Sequence, residues 1–237
     1  MKTIGVIPAR FGSKRLVGKP LILISGKPLV QQVYKQAEKS LLLDEILVAT
    51  DDERIKKVVE DFGGKALLTS KKFPTGTDRV AQAVKNINCD MVLNIQCDEA
   101  FLDPKMLDQL IKFMQKDKKI LMGTLAREIK EKEKISDPNV VKVVLDKENF
   151  ALYFSRLPIP YPRDNNKRKI NCYQHIGIYA FRKSFLMKFA GLKQTPLEKL
   201  EKLEQLRALE NGYKIKVWIT NYSSHSIDTK KDFKKFN

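Results

Sequence analysis

The amino-acid sequence predicts a three-layer α/β/α fold, in which helices cover both faces of an open, mostly parallel β-sheet. In the first half of the chain, short apolar runs alternate with amphipathic stretches of helical length. The runs are continuously apolar, as in Ile46–Ala49, which is typical of parallel strands that are covered on both faces. The crossovers between such strands are expected to be right-handed.

The apolar periodicity predicts the elements of this first half one after another. They are a strand over Thr3–Pro8, a helix over Pro28–Ser40, a strand over Glu45–Thr50, a helix over Asp52–Phe62, a strand over Lys65–Thr69, a helix over Gly76–Asn86, a strand over Met91–Gln96 and a helix over Pro104–Lys116. Pro104 suits the first turn of its helix, where the backbone nitrogen needs no hydrogen-bond acceptor.

After about residue 120 the pattern changes. Strand-like runs follow at Ile120–Ala126, Val140–Leu145, Ala151–Ser155, Tyr173–Phe181 and Lys214–Ile219. Few helical stretches separate the first four, which predicts antiparallel hairpins in a sub-domain inserted over about residues 125–180 of a single 1–237 domain. Leucines at every third position predict one helix over Pro196–Glu210, and a short Lys-rich helix is expected at the end of the chain.

Composition and charge exclude several classes of protein. The 237 residues include 45 Lys and Arg against 28 Asp and Glu, a net charge of +17, so an anionic partner is expected. The three cysteines form no C-x-x-C pair, and the two histidines lack the spacing of a metalloprotease motif. Pro8 and Arg10 interrupt the first apolar run, which is too short for a signal peptide or a membrane span. We therefore expect a cytoplasmic protein.

The positive charge is concentrated near the start of the chain. The first 37 residues contain seven Lys and Arg and no acidic residue. Four of the seven lie in one segment after the first predicted strand: Arg10, Lys14, Arg15 and Lys19. Ligands of open α/β sheets bind at this position, and Gly12 and Gly18 allow a close approach of the backbone. The segment predicts a polyphosphate site or, alternatively, a solvated basic loop, and Pro20 after Lys19 argues against a Walker A motif.

Two further segments are candidates for the same edge of the sheet. Asp98 and Glu99 follow the strand over Met91–Gln96, and their carboxylates suit a hard cation such as Mg²⁺. The alternative is that they cap the next helix. Thr75–Arg79 opens a predicted helix whose N–H groups suit a base, a sugar or a phosphate, and the alternative here is an ordinary N-cap.

Many short segments in one order carry a resemblance to a known family. They are Ile7–Leu21, Val48–Asp51, Thr75–Arg79, Asn94–Glu99, Pro138–Asp146, Ala151–Arg156, His175–Phe181, Pro196–Glu198, Leu203–Arg207 and Ile227–Thr229. Together they resemble the sugar nucleotidyltransferases of the CMP-KDO synthetase type, the 3-deoxy-manno-octulosonate (KDO) cytidylyltransferases. Tyr153–Arg156 and His175–Tyr179 favour the KDO branch over the sialic acid cytidylyltransferases. The chain departs from the family pattern at Val17, Cys97 and Ala100, where the family usually has Pro, Gly and Pro.

The resemblance implies a fold, a reaction and partners. The fold is the Rossmann-like nucleotide-diphospho-sugar transferase type. The reaction transfers CMP from CTP to the anomeric hydroxyl of KDO, with release of pyrophosphate, for lipopolysaccharide biosynthesis. Asp98 and Asp228 are implied to hold Mg²⁺, which lowers the pKa of the sugar hydroxyl so that no dedicated general base is needed. A homodimer formed through the later sub-domain is also implied.

The resemblance also assigns roles to individual residues. The implied catalytic set is Arg10, Lys19, Asp98 and Asp228, with Lys19 nearest to the α-phosphate. The residues implied to bind CTP are Pro8, Ala9, Arg10, Ser13, Lys14, Arg15, Lys19, Thr75, Gly76, Gln96 and Asp98. Those implied to bind the sugar are Arg156, His175, Tyr179, Glu204 and Gln205, with Arg156 on the sugar carboxylate. Packed core side chains are the alternative interpretation for His175 and Tyr179.

The sequence leaves two other functions open. One is a cytidylyltransferase for another acid sugar, such as a sialic acid or an amino-substituted KDO. The other is a nucleic-acid-binding module, which the net charge favours. Such modules interleave aromatic and basic residues on one face, whereas aromatics are only 8% of this chain and no such run is found, so no nucleic-acid partner is expected.

Overall fold

The computed structural model describes residues 1–12, 16–163, 171–222 and 227. The strands within these ranges are β1 (Thr3–Ala9), β2 (Leu23–Ile24), β3 (Lys27–Pro28), β4 (Glu45–Thr50), β5 (Ala66–Leu68), β6 (Met91–Ile95), β7 (Met122–Glu128), β8 (Lys142–Leu145), β9 (Ala151–Ser155), β10 (Tyr173–Arg182) and β11 (Lys216–Ile219). The helices are α1 (Leu29–Ala37), α2 (Glu53–Asp61), α3 (Gly76–Val84), α4 (Pro104–Lys116), α5 (Lys132–Ser136), α6 (Lys183–Ala190), α7 (Pro196–Glu201) and α8 (Leu206–Glu210). A 3₁₀ turn covers Lys19–Leu21.

One mixed sheet organises the described part of the chain. Its strand order is β11-β7-β10-β6-β1-β4-β5, and β8 and β9 extend it from β10. β1 pairs in parallel with β4 and β6, and β4 with β5, as predicted for the first half. β10 runs antiparallel to β6, β7 and β8, and β9 completes a hairpin with β8. The predicted α/β class is confirmed.

Two hydrophobic layers cover opposite faces of this sheet. Ile7 of β1 lies in the layer under α1, α2 and α4, while Val6 beside it lies in the layer under α3 and α6. This alternation follows from the two-residue period of a strand. Full burial of an apolar side chain of this kind stabilises a fold by roughly 1.5–3 kcal/mol, so the two layers hold the carboxyl ends of β1 and β6 in place.

The prediction of a single helix over Pro196–Glu210 is wrong. The structure has two helices, α7 and α8, because Lys202 adopts left-handed backbone angles (φ 56°, ψ 45°) that end α7. The leucine row is not one buried face either, since Leu200 is 80% exposed. The break turns the chain so that Glu204 reaches the N-terminus of α3, a contact between residues far apart in sequence.

The second half differs from the predicted elements in two further ways. The short helices α5 and α6 were not predicted, and β11 pairs in parallel with β7. β7 and β10 lie inside the main sheet, and β8 and β9 project from it. The division into a domain and an inserted sub-domain stays a prediction, and the Lys-rich helix predicted at the end of the chain lies outside the described residues.

Candidate active site

The basic and acidic segments predicted from the sequence meet at one edge of the sheet. β1 and β6 are parallel neighbours, so Arg10 after β1 lies on the same edge as Gln96–Glu99 after β6. Lys19 Nζ lies 3.0 Å from Asp98 Oδ2 in a half-buried ion pair. This contact joins two residues of the implied catalytic set.

Hydrogen bonds from backbone N–H groups hold the two ends of the basic segment that contains Arg10 and Lys19. Phe11 N–H donates to Asp51 Oδ1 (3.2 Å), and Gly18 N–H donates to Phe11 O (2.8 Å). Gly18 has a φ of 69°, and a Cβ there would lie 3.2 Å from the Phe11 ring, so both backbone angle and space favour glycine. Asp51 is held in turn by Arg79 (2.8 Å). Ser13, Lys14 and Arg15 lie outside the described residues.

A cavity of about 680 Å³, here called the larger cavity, opens between these segments. Its lining includes six of the residues implied to bind CTP: Pro8, Arg10, Lys19, Thr75, Gln96 and Asp98. Cys97 also lines it, and burial, with a smaller contribution from the Asp98 charge, raises the pKa of its thiol to about 12. The thiol that replaces the usual glycine is therefore uncharged at neutral pH.

A second cavity of about 250 Å³, the smaller cavity, lies beside the first. All five residues implied to bind the sugar line it: Arg156, His175, Tyr179, Glu204 and Gln205. The two cavities share a wall formed by Gln96, Asp98, Arg156, Lys202, Leu203 and Glu204. Ligands in the two cavities would therefore meet at Asp98.

The N-terminus of α3 is capped within the protein. Glu204 accepts hydrogen bonds from Gly76 N–H (3.0 Å) and Thr77 N–H (3.1 Å), and Thr75 Oγ1 accepts from Asp78 N–H (3.3 Å). A carboxylate at this position is favourable because the helix dipole is positive there. The N-cap interpretation of this segment is confirmed, and its N–H groups already have acceptors.

Comparison with known proteins shows the family to which this chain belongs. The family model described as Cytidylyltransferase matches residues 4–215. A 3-deoxy-manno-octulosonate cytidylyltransferase of Geotalea uraniireducens (strain Rf4) is 48% identical, over 99% of this chain and 97% of its own length. The chain belongs to the KDO cytidylyltransferase family.

Other members agree with this assignment. The 3-deoxy-manno-octulosonate cytidylyltransferase of Thermodesulfovibrio yellowstonii (strain ATCC 51303 / DSM 11347 / YP87) is 48% identical over 98% of this chain and 95% of its own. A solved structure of CMP:2-keto-3-deoxy-manno-octonic acid synthetase complexed with CTP superimposes with a TM-score of 0.92 at 38% identity, covering 99% of this chain and 96% of that one. The fold of this cytidylyltransferase is thus shared along nearly the whole chain.

His175 is a neutral, buried residue of this cytidylyltransferase. Its Nε2 lies 3.1 Å from Thr124 Oγ1, which is also 2.7 Å from the carbonyl of Ile178. Because a carbonyl only accepts, the Thr124 proton goes to Ile178 and His175 donates from Nε2, which leaves Nδ1 as an acceptor. Burial lowers the pKa of His175 to about 3, so the ring carries no charge at neutral pH.

Tyr179 and Gln205 bring further polar groups to the smaller cavity. Burial, and then the charge of Glu204, raise the pKa of Tyr179 well above its usual value, so its hydroxyl stays protonated. Gln205 is 3% exposed, and within the described ranges its Nε2 has no hydrogen-bond partner. A buried amide donor without an acceptor is costly, and this donor is available to a ligand in the smaller cavity.

Arg156 is fixed on the wall between the two cavities. Its Nε donates to the carbonyl of Glu201 and its Nη1 to that of Pro138, both at 2.8 Å. Among the described residues no acceptor contacts Nη2. The side chain is thus oriented by the backbone while one nitrogen remains for a ligand in either cavity.

The segment Gln96–Glu99 after β6 contacts the chain just before Asp228, the second residue implied to hold Mg²⁺. Ile227 N–H donates to Asp98 O (2.9 Å), and Asp228 is the next residue but lies outside the described residues. Within the described part of the chain, no group of three His, Cys, Asp or Glu residues could hold a metal ion. Asp98 itself borders both cavities. Its carboxylate oxygens are the kind of ligand that Mg²⁺ prefers.

Sequence reasoning missed Arg207 and Arg127. Arg207 is 1% exposed and donates to Asp78 Oδ1 (2.9 Å) and to both carboxylate oxygens of Glu198 (2.7 and 2.9 Å). Burial disfavours its charge, but the hydrogen bonds to Glu198 and Asp78 outweigh burial and raise the pKa of Arg207. Arg207 joins α3, α7 and α8 behind the site, whereas Arg127 lines the smaller cavity.

Finally, no helix in the part of the chain that the structure describes is both long and apolar enough to cross a membrane.

Proposed function

We propose that this chain transfers the CMP group of CTP to the anomeric hydroxyl of KDO and releases pyrophosphate, a step of lipopolysaccharide biosynthesis. The observation that carries the proposal is the pair of adjoining cavities with Asp98 on their shared wall. Beyond the shared wall, the larger cavity is lined by the cations Arg10, Lys19 and Lys199 against one carboxylate, Glu198. The smaller cavity is lined there mainly by neutral hydrogen-bonding groups, with Arg127 and Glu99 as its charged residues, and Arg156 borders both cavities. Two substrates, one polyanionic and one a hydroxyl-rich acid, fit this division.

The larger cavity binds the triphosphate. Arg10 and Lys19 lie on its wall, and the sequence adds Lys14 and Arg15 to the same loop. Transfer of a nucleotidyl group needs little covalent chemistry from the protein. It needs the sugar oxygen held in line with the departing pyrophosphate and cations that neutralise the developing charge.

Asp98 and Asp228 would hold Mg²⁺ at the wall between the cavities. When bound, the metal lowers the pKa of the sugar hydroxyl and neutralises phosphate charge. The chain's own contribution is the position of Asp98, whose backbone carbonyl accepts a hydrogen bond from Ile227 N–H. Lys19, paired with Asp98 here, supplies a cation for the α-phosphate.

The smaller cavity binds the sugar. Arg156 Nη2 is placed to receive the carboxylate on the shared wall, while Nε and Nη1 stay on the backbone. Deeper in the cavity, His175 Nδ1 accepts from a hydroxyl, and Gln205 Nε2 donates to one. The Tyr179 hydroxyl adds a further partner that remains neutral.

The enzyme acts as a homodimer in the cytoplasm. Large apolar side chains on and near β9 and α7 are exposed: Leu152 (62%), Leu157 (70%), Tyr161 (83%) and Leu200 (80%). Among the described strands β9 forms a ladder only with β8, and Ala151 at its start also donates to the carbonyl of Ile215. A second copy covering this surface would remove the apolar area from water. Light scattering should give the mass of two chains.

The direct test is release of pyrophosphate from CTP by purified protein in the presence of Mg²⁺ and a panel of acid sugars. KDO should be used in preference to an amino-substituted KDO and to a sialic acid. Asp98→Asn should lower turnover at least about a hundredfold without unfolding the protein. Asp61→Asn, on the exposed face of α2, is the matched control and should leave turnover unchanged. Near-normal turnover of Asp98→Asn would contradict the role of Asp98.

A further inference from the structure

Arg127 is a cation in the smaller cavity that has no assigned role. It lies near the end of β7, is half-buried and lines the cavity. Across the described ranges its guanidinium makes no hydrogen bond or ion pair, in contrast to the anchored Arg156. A guanidinium is always charged and carries five N–H donors. A guanidinium that lines the cavity in this way is available to an acceptor on a ligand.

The position of Arg127 is remote from the shared wall. Gly177 of β10 marks the near end of the cavity, since a Cβ there would lie 3.5 Å from Gln96 Cγ and 3.6 Å from Glu99 Oε1. Arg127 is in register with Gln174, three residues earlier on β10, which is roughly 10 Å along the strand. Arg127 does not line the larger cavity. A sugar whose anomeric carbon lies at Asp98 therefore extends its other end toward Arg127.

Among the described residues, the charge at the far end of the smaller cavity is positive and comes from Arg127. The acidic residues that line the cavity, Asp98, Glu99 and Glu204, lie at the shared wall or beside Gly177, and Glu204 is engaged at α3. The ring of His175 is neutral. Glu128 follows Arg127 on the strand, so its side chain leaves the opposite face, and it does not line the cavity.

We propose that Arg127 binds the end of the sugar remote from the anomeric carbon and selects a hydroxyl there over an amino group. This inference rests on the proposed function. A hydroxyl oxygen accepts a hydrogen bond from the guanidinium. A protonated amine at the same position has no lone pair to offer and places a like charge beside Arg127 in a partly desolvated cavity. The residue thereby distinguishes KDO from a sugar acid with a terminal amine.

The experiment compares kcat/KM for KDO and for its analogue with an amino group in place of the terminal hydroxyl, at saturating CTP. The wild-type protein should prefer KDO by at least about tenfold. Arg127→Gln should bring the ratio close to one, and Arg127→Glu should reverse it. Lys130→Gln removes the same charge from an exposed neighbour and should keep the wild-type ratio. The KM for CTP should be the same in all four proteins.

The possible results separate the role of Arg127 from the proposed function. An unchanged preference in Arg127→Gln, or a wild-type protein that uses both sugars equally, would overturn the role of Arg127 and leave the proposed function standing. A wild-type protein that turns over neither sugar would overturn the proposed function itself. If the variants do not fold, the pH dependence of the wild-type protein replaces them. Use of the amino sugar should rise relative to KDO as the amine loses its proton, and a flat ratio would contradict the inference.

Discussion

Replacement of Arg207 by methionine tests the buried charge cluster that joins α3, α7 and α8. Arg207→Met keeps most of the side-chain volume but removes three hydrogen bonds, to Asp78 and Glu198. Both carboxylates are more than nine-tenths buried and would be left without their cation. Removal of one partner from such a buried pair costs about 3–5 kcal/mol.

The effect is measured as a free energy of unfolding. For a chain of this size, about 3–5 kcal/mol corresponds to a fall in Tm of about 6–20 °C. The neutral triple variant Arg207→Met, Asp78→Asn, Glu198→Gln should recover much of the loss, because it leaves no unpaired charge. Lys57→Met is the control. It breaks an exposed pair with Asp61 that solvent already screens, so its effect should be small.

The recovery in the triple variant separates charge from packing. If Arg207→Met were destabilising only because the methionine packs poorly, the triple variant would be at least as unstable as the single one. If Arg207→Met unfolded at the same temperature as Lys57→Met, the account of the cluster as a buried ion pair would be refuted. Calorimetry or denaturant unfolding of the four proteins is sufficient.

The buried His175 and the partly buried Cys97 both have shifted pKa values whose effects can be measured. The unfolded chain protonates His175 near pH 6.5 but the folded protein only at about 3, so acid favours unfolding in this window. The unfolding free energy of the wild type relative to His175→Gln should therefore fall by up to about 1.4 kcal/mol per pH unit as the pH drops from 6.5 toward 3, whereas parallel pH profiles would contradict the burial of this ring. At Cys97, a pKa raised from 9.0 to about 12 leaves about a thousandfold less thiolate at a given pH. Alkylation of Cys97 by iodoacetamide, followed by mass spectrometry against Cys97→Ser, should be slower than that of a free thiol by a similar factor, and equal rates would show that the thiolate is not disfavoured.

The meeting of Lys19 and Asp98 was predictable from sequence because it depends on local patterns. The segment that contains Lys19 and the segment that contains Asp98 each follow an apolar run, and the carboxyl ends of neighbouring parallel strands reach the same edge of a sheet. The break at Lys202 was not predictable. Helical spacing of leucines continues through it, and the left-handed turn is favoured by contacts of Glu204 with α3, 127 and 128 residues away.

Arg127 and Arg207 show a second limit of sequence reasoning. Both look like ordinary charged residues of an amphipathic strand and helix. Their importance depends on what surrounds them: two buried carboxylates for Arg207, and the lack of any partner for Arg127 among the described residues. Neither property has a signal in spacing or composition.

The ion pair between Lys19 and Asp98 has a consequence for how ligands enter. Each of the two groups is the counter-ion of the other within the protein. An anion that attracts Lys19 weakens its contact with the Asp98 carboxylate, and a cation that binds Asp98 weakens the same contact from the other side. We therefore expect binding of the first ligand to strengthen binding of the second, by an amount that thermodynamic linkage makes equal in either order.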